Sequence, residues 1–478
     1  MKKIITLLAL SLLLMIQIVD GQATQLWGMT SSGGAHGGGT IFHINLDGTG
    51  FTSVYSFDTA QTGTGYYPSG DLLQASNGKL YGLTINGGLN SSGVLFSFDT
   101  TGNIYTDVCD LTSSICETNS LIQVGNGLLY GMCDVAPKPF GSGYIFSFDI
   151  ISNIFTDLYD FDGQGLYGQY PSGALVYANN GLYYGTANEG GEDTVGVSVG
   201  VLFSFDTTTN TYTDLLNFDA QAPAYGWYPR SLIQASDGNL YGTCDIGASW
   251  NTLALYNFNI STNTCTLLNA SNDMTGPVGH PIQAGNGIIY GMTYGGGFYL
   301  VGGIYSYDPS NNNLNEMFDF IISNGANPGG SLIYANNGNL YGMTENGGAD
   351  SAGVLFSYNI ATNTYTDLLD FNGMNGKNPL GSLIILKDTV SNGIAQINNN
   401  KNQISINPNP ATTIINIKNS GFTNYDLRIK DVLGREVYQQ KIYNSTQSTI
   451  DISSLNNGVY IYQLNVEEET IRGKFVKE

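Results

Sequence analysis

Residues 231–242 read Ser-Leu-Ile-Gln-Ala-Ser-Asp-Gly-Asn-Leu-Tyr-Gly. A short β-rich run ends at Ala235, Asp237-Gly238 follows, and a second run begins at Leu240. Both central residues of a type I′ turn need positive φ. Asn or Asp followed by Gly tolerates this, so the stretch predicts a tight hairpin. The same dipeptide recurs as Asn77-Gly78, Asn126-Gly127, Asn180-Gly181, Asn286-Gly287 and Asn337-Gly338, always just before a Tyr. The aromatic marker itself falls at Trp27, Tyr81, Tyr130, Tyr184, Tyr241, Tyr290 and Tyr341, with spacings of 54, 49, 54, 57, 49 and 51. Repeats of roughly this length match one four-stranded propeller blade.

Each unit reads as four strands. Strand a is the run at 231–235, and strand b follows the turn. Strand c is Gly-Val-Leu-Phe-Ser-Phe-Asp at 200–206, and strand d is Tyr-Thr-Asp-Leu-Leu at 212–216. The continuous apolar stretch in c suits a sheet covered on both faces. The first unit begins at Leu26 without a strand a, while residues 378–384 form a spare a-type start after the seventh d. That spare completes the first blade and removes an open sheet edge. An open solenoid is the alternative, but a missing piece matched by a spare favours a ring. The fold expectation is therefore all-β: a seven-bladed β-propeller over 22–386, closed by a C-terminal strand. Parity puts the short a–b and c–d turns on one face and the long b–c and d–a loops on the other. The long-loop face is the natural binding face.

Composition agrees. Gly is 63 of 478 residues, charged residues are 11 % and the net charge is −22. The Gly has no period of three, which excludes collagen. An apolar content of 42 % argues against disorder. Nucleic acid is an unlikely partner, since phosphate contacts need Lys and Arg. Lys2 and Lys3 precede an apolar run from Ile4 to Ile18 and small residues at Gly21 and Ala23, so 1–21 reads as a secretory leader. The run is shorter than the ~20 apolar residues of a spanning helix, and no later segment approaches one. Export permits disulfides. Of Cys109, Cys116, Cys133, Cys244 and Cys265, the nearest pair is Cys109 and Cys116, the candidate bridge; Cys133 and Cys244 read as small buried residues.

Residues 387–402 break the repeat and read as a linker. Charge separates what they join: 22–386 holds four bases and 28 acids, whereas 403–478 holds eight of each. The tail shows period-two strands with Gly turns, as in a small Ig-like β-sandwich. It carries Asn407-Pro408-Asn409-Pro410, Asp431-Val432-Leu433-Gly434, Leu455-Asn456-Asn457-Gly458-Val459-Tyr460, and an end containing Lys474 and Lys477. In order and kind these resemble the type A C-terminal sorting domain of the type IX secretion system of Bacteroidetes. The resemblance implies that 403–478 is an address read by the secretion machinery, with the protein released or held at the cell surface. The repeats resemble the GloVer propeller-type tandem repeats, through Leu340-Tyr341-Gly342-Met343-Thr344, Gly347-Gly348 and Gly353-Val354-Leu355-Phe356. That resemblance implies a propeller and leaves activity open.

In a repeat protein, a feature of most blades is architecture and a feature of one blade is a candidate for function. Asp160 and Asp162 suggest a Ca²⁺ loop, but related triplets end other d strands, so no cofactor is required by the sequence. His36, His43 and His280 lack metal spacing, and no nucleophile elbow or phosphate loop is present. Glu189, Glu192 and Asp193 share one loop, which proximity alone does not make a glycosidase pair. Aromatics on the long-loop face are more informative. Tyr67, Tyr170 and Tyr228 precede prolines, and Trp227, Trp250, Phe298 and Tyr299 belong to single blades. Rings flanked by amides and carboxylates suit sugar faces and hydroxyls. The competing reading packs the recurring Tyr-Pro positions into the seams between blades. The expected function is non-enzymatic binding of an extracellular ligand, a glycan first. The alternatives are a polysaccharide hydrolase or lyase on the same face, and an adhesive platform for protein partners.

Overall fold

A computed structural model describes residues 24–112, 120–125, 127–134, 142–161, 167–191, 198–219, 226–246, 253–271, 273–387, 404–407, 411–419, 423–431, 435–445, 447–466 and 469–477. The leader 1–21, the linker beyond 387, Cys116, Asp162, Glu192, Asp193, Trp250, Pro408 and Gly434 lie outside these residues. The chain divides into two compact units, Met1–Thr389 and Val390–Glu478.

The described residues of the first unit form seven antiparallel sheets, each a succession of neighbouring strands. The sixth is typical: Met274–Gln283, Ile289–Gly296, Gly303–Asp308 and Asn313–Asp319 lie side by side in chain order. In the seventh, strand a is split into Ala326–Pro328 and Ile333–Tyr334, both paired with Asn339–Asn346. In the first, the spare Ile384–Lys387 pairs with Thr24–Thr30, with Trp27 opposite Ile384 and Thr24 opposite Lys387. The two ends of the repeat thus share one sheet, as the missing first strand predicts.

The turn chemistry explains the motif. Asn77, Asn180, Asn286 and Asn337 each donate a side-chain N–H to the hydroxyl of the Tyr four residues on, at 2.8–2.9 Å. Where Asp237 replaces Asn, the Tyr241 hydroxyl donates instead, at 2.9 Å. The Gly after the marker Tyr lies under the aromatic ring of strand c. A Cβ on Gly342 would come within 2.7 Å of the Phe356 ring and 3.0 Å of Leu332. Neighbouring sheets are sealed by stacked rings: Tyr55 on Tyr105, Tyr159 on Tyr212, and Phe318 on Tyr365, with centroids 4.4–4.5 Å apart. Strand c is buried along its length, as in Val354 to Tyr358, which is why its apolar run does not alternate.

The cysteines correct one expectation. Cys109 is a free thiol, as are Cys244 and Cys265, so no Cys109–Cys116 bridge forms. Cys133, read from the sequence as a plain buried residue, is the disulfide-bonded one. Nearness in sequence is a poor guide because a bridge needs Cα atoms within about 7 Å and Cβ vectors that face each other, which chain separation does not set.

The second unit carries a three-stranded sheet (Ile404–Asn407, Ile414–Asn419, Gln447–Asp451) and a four-stranded one (Glu436–Ile442, Tyr425–Asp431, Gly458–Val466, Glu469–Lys477). Ile415 and Ile417 from one sheet and Leu427, Ile429, Tyr460 and Leu464 from the other share one apolar core. Asn407 and Asp431 end strands, and Gly458 opens one. Leu455 packs against the core, the Tyr460 hydroxyl donates to the Asn456 carbonyl at 2.8 Å, Lys474 pairs with Ile461, and Lys477 is buried. Among the described residues, no helix is long and apolar enough to cross a membrane.

Candidate functional site

The a strands approach one another closely enough to require glycine. A Cβ on Gly173 would lie 2.6 Å from the Arg230 carbonyl oxygen, one on Gly279 2.5 Å from the Ser331 nitrogen, and one on Gly330 2.4 Å from Gly381. Gly173 and Gly279 also hold φ of +73° and +60°, a region that other residues rarely occupy. Hydrogen bonds then pass from sheet to sheet. Ser172 Oγ of the fourth sheet donates to the Pro229 carbonyl at 3.0 Å, and Ser231 Oγ of the fifth donates to Gly279 at 2.6 Å. The His280 N–H donates to Ser331 Oγ at 2.8 Å, and the Ser331 N–H to Ser382 Oγ at 2.8 Å. Asp71 ends this run in the second sheet, accepting the Ser382 N–H on one oxygen and the Ser120 hydroxyl (2.6 Å) on the other.

These strands enclose a cavity of about 380 Å³. Its lining includes Asp71, Ser120, Arg230, Ser231, Asp245, His280, Tyr294, Ser331 and Ser382. Aligning the strands shows what is special. The position before the strand-a Leu, or before Pro281 in the sixth sheet, is Ser120, Ala174, Ser231, Ser331 or Ser382 in five sheets, and Asp71 and His280 in the other two. Three residues after the repeat Gly of strand b the residue type varies widely: Ser31, Ile85, Asp134, Asn188, Asp245, Tyr294 and Glu345. Arg230 is the one Arg between residues 22 and 386. Asp71, Arg230 and His280, each particular to one sheet at its position, meet Asp245 at this cavity.

Their chemistry is mixed. Arg230 Nε donates to Asp245 Oδ2 at 2.7 Å, and a second guanidinium nitrogen touches the same oxygen. Asp245 Oδ1 is buried with no hydrogen-bond partner, a costly state for a carboxylate oxygen. His280 Nδ1 lies 2.9 Å from Ser331 Oγ. Burial and the neighbouring Glu345 carboxylate raise the Tyr294 hydroxyl pKa, and burial raises that of Glu345. A second cavity of about 360 Å³, lined by Ile122, Val176, Tyr177, Leu232 and Ile233, shares His280 and Ala174 with the first.

The aromatics singled out from sequence sit differently. Tyr67, Tyr170 and Tyr228 have φ of +57°, +55° and +56°, each before a Pro. Asn327 and Asn378 take the same conformation at the matching position, and Gly276 does so in the sixth sheet. The N–H groups of Tyr170, Asn327 and Asn378 donate to carbonyls of the preceding sheet at 2.8–2.9 Å. Those tyrosines therefore occupy a recurring crossing. Trp227 is half-buried and packs against the core shared by the fourth and fifth sheets. Phe298 and Tyr299 are exposed, as are Tyr167 and Tyr170. Asp160 ends Ile154–Asp160, and Glu189 ends Tyr183–Glu189. Among the described residues, no three His, Cys, Asp or Glu side chains are placed to hold a metal ion. His43 packs on the Trp27 ring, and His36 lies at the surface 4.0 Å from Asp58.

Comparison with known proteins agrees with this architecture. The chain resembles solved structures of putative 6-phosphogluconolactonases from Bacteroides fragilis NCTC 9343 (15 % identity, TM-score 0.52, 77 % of this chain and 99 % of that one) and Bacteroides uniformis ATCC 8492 (14 %, 0.53, 77 % and 100 %). It also resembles a periplasmic gluconolactonase from Pseudomonas aeruginosa (11 %, 0.50, 76 % and 99 %). At these identities the likeness concerns the fold alone. No curated protein matches the chain. Residues 405–478 match the secretion system C-terminal sorting domain, which directs the protein through type IX secretion to the cell surface or beyond. Residues 15–199 and 197–406 match the Gloeobacter/Verrucomicrobia repeat, and the chain belongs to that family.

Proposed function

We propose that this chain is an exported, non-enzymatic saccharide-binding protein whose ligand enters the polar cavity between the a strands. In this reading the seven sheets are the blades of one closed propeller over residues 22–386, sealed by the pairing of Ile384–Lys387 with Thr24–Thr30. The leader 1–21 and the Ig-like sorting sandwich 403–478 export it, and the linker 387–402 is where the two part.

One observation carries the reading: the polar residues that break the repeat converge on a single cavity. Architecture alone has no use for so varied a set of side chains at one recurring position. The volume falls in the range of small-ligand sites, ~300–1,000 Å³. The lining alternates donors (Arg230, His280, serine hydroxyls) with acceptors (Asp71, Asp245) beside one ring, Tyr294. A polyol, whose every hydroxyl both donates and accepts, satisfies such a lining better than an apolar or purely anionic ligand.

The test is a glycan array with the full chain, followed by titration of the best hit. Arg230→Ala and His280→Ala each weaken binding by about tenfold, the order expected when one hydrogen bond from a charged or polar side chain to the ligand is lost. Binding unaffected by both variants would refute the cavity as the site. Conversion of the hit into shorter products would make the protein an enzyme instead.

A further inference from the structure

We propose that the loop 296–302 of the sixth blade is a second contact surface, one that selects saccharides bearing free ammonium groups; this rests on the saccharide reading above.

Three blades build the b–c loop on one seven-residue frame. Gly93 donates to Gly87 at 3.0 Å, Gly302 to Gly296 at 3.2 Å and Gly353 to Gly347 at 3.1 Å. Inside the frame, Ser91, Leu300 and Ser351 donate to Gly88, Gly297 and Gly348 at 3.2–3.3 Å, and have φ of +55°, +61° and +54°. The backbone is shared, so differences at the tip are differences of content. The second and seventh blades carry Leu89-Asn90-Ser91 and Ala349-Asp350-Ser351. The sixth carries Phe298-Tyr299-Leu300, exposed by 82 %, 55 % and 76 %. Leucine is a poor choice for a left-handed position, because its Cβ crowds the backbone there. Three consecutive large apolar side chains in solvent, one of them strained, mark a contact surface and not a packing solution. Phe298 and Tyr299 meet edge to face with centroids 5.0 Å apart, which leaves ring faces open.

A second difference lies at the loop base. In the second and seventh blades the last Asp of strand d clamps the tip. Asp110 accepts the Leu89 N–H at 2.8 Å, and Asp370 accepts the Ala349 N–H at 2.9 Å. In the sixth blade the matching Asp319 clamps no tip N–H among the described residues and hydrogen-bonds the Glu316 carboxyl instead. Glu316 stands beside it, and a Cβ on Gly297 would come within 3.2 Å of Glu316 Oε1 and closer still to Asp319. Asp273, whose carbonyl accepts the Gly297 N–H, is also exposed.

Charge identifies the occupant. Residues 231–376 contain no Lys or Arg. The carboxylates beneath the tip therefore have no cation from this stretch of chain, and among the described residues no such group is arranged to hold a metal. Open aromatic faces attract cations, and sugar rings stack on them. An ammonium-bearing sugar satisfies both features, whereas a neutral sugar leaves the negative charge of the Glu316–Asp319 pair uncompensated and an anionic one is repelled.

The full chain should be titrated at pH 6 with glucosamine oligomers, with their fully N-acetylated counterparts and with oligolysine. The free-amine oligomers bind about tenfold or more tightly than the acetylated ones, as expected for a charge contact with cation–π support. The surface double variant Phe298→Ala/Tyr299→Ala abolishes that preference, and Asp319→Asn reduces it. Equal binding of the two oligomers, or a double variant that discriminates as well as wild type, would overturn the proposal. So would oligolysine binding as tightly as the amino sugar, which would make the partner a basic peptide. If array hits respond to Arg230→Ala but not to the amine, the cavity reading stands and this one falls. If no saccharide binds at all, both fall.

Discussion

Gly342 shows how a single residue fixes the repeat. Its missing side chain makes room for the Phe356 ring, and the six other sheets carry the same Gly under a strand-c ring. Gly342→Ala pushes a methyl into a space already occupied at 2.7 Å. The expected loss is about 1–3 kcal/mol, the usual cost of overpacking, read as a lower denaturant midpoint. Stability equal to wild type would mean the ring yields freely and the motif has another cause. The Asn-to-Tyr hydrogen bond four residues apart was visible in the sequence as a spacing. Its reason was not, since type I′ geometry alone demands nothing of the Tyr. Tyr67, Tyr170 and Tyr228 illustrate the limit from the other side. From sequence they fit a sugar platform as well as a seam. The backbone shows that the crossing does not require a ring, because Asn327 and Asn378 hold the same left-handed φ without one.

At the scale of the element, turns account for much of the acidity. Asp99, Asp149, Asp206 and Asp308 open the c–d turns by accepting the N–H two residues on, at 2.8–2.9 Å. Side-chain and backbone hydrogen bonds of this kind hold their pKa values below the ordinary carboxylate range. Their stabilising contribution is present above pH ~4 and is lost as the pH falls through the lowered values. Strand d holds the opposite kind. A hydrogen bond that its protonated carboxyl donates to Asp319, then burial and like charge, raises Glu316 to about 7. Burial also raises Asp107 and Asp367. The folded state binds these protons more tightly than the unfolded chain, so stability increases as pH falls from about 7 toward 5. Thermal unfolding should therefore peak between about pH 4.5 and 6 and fall on both sides, with Glu316→Gln flattening the alkaline limb. A maximum at pH 8 would contradict this account. The free Cys109 teaches a related lesson. Strand register decides which cysteines meet, and a single sequence reveals register only through its hairpins.

At the scale of the molecule, period and ends were legible, because six hairpin signals and a displaced strand are local facts of the sequence. The cavity was not. Asp71, the Arg230–Asp245 hairpin pair and His280 are far apart in the chain, and the approach of the a strands to one another unites them. The signal was present as a departure from the Ser or Ala of the other repeats, and reading it required the strands to be aligned position by position. The same principle separates scaffold from site throughout: what recurs seals the sheets, and what does not recur faces the cavity or the sixth-blade tip. The most direct test of the central claim is a crystal structure of the full chain with the tightest-binding saccharide from the array. The account predicts a sugar ring against Tyr294, with hydroxyls within hydrogen-bond distance of Arg230, Asp245 or His280. A ligand seated anywhere else, with this cavity left to water, would contradict it.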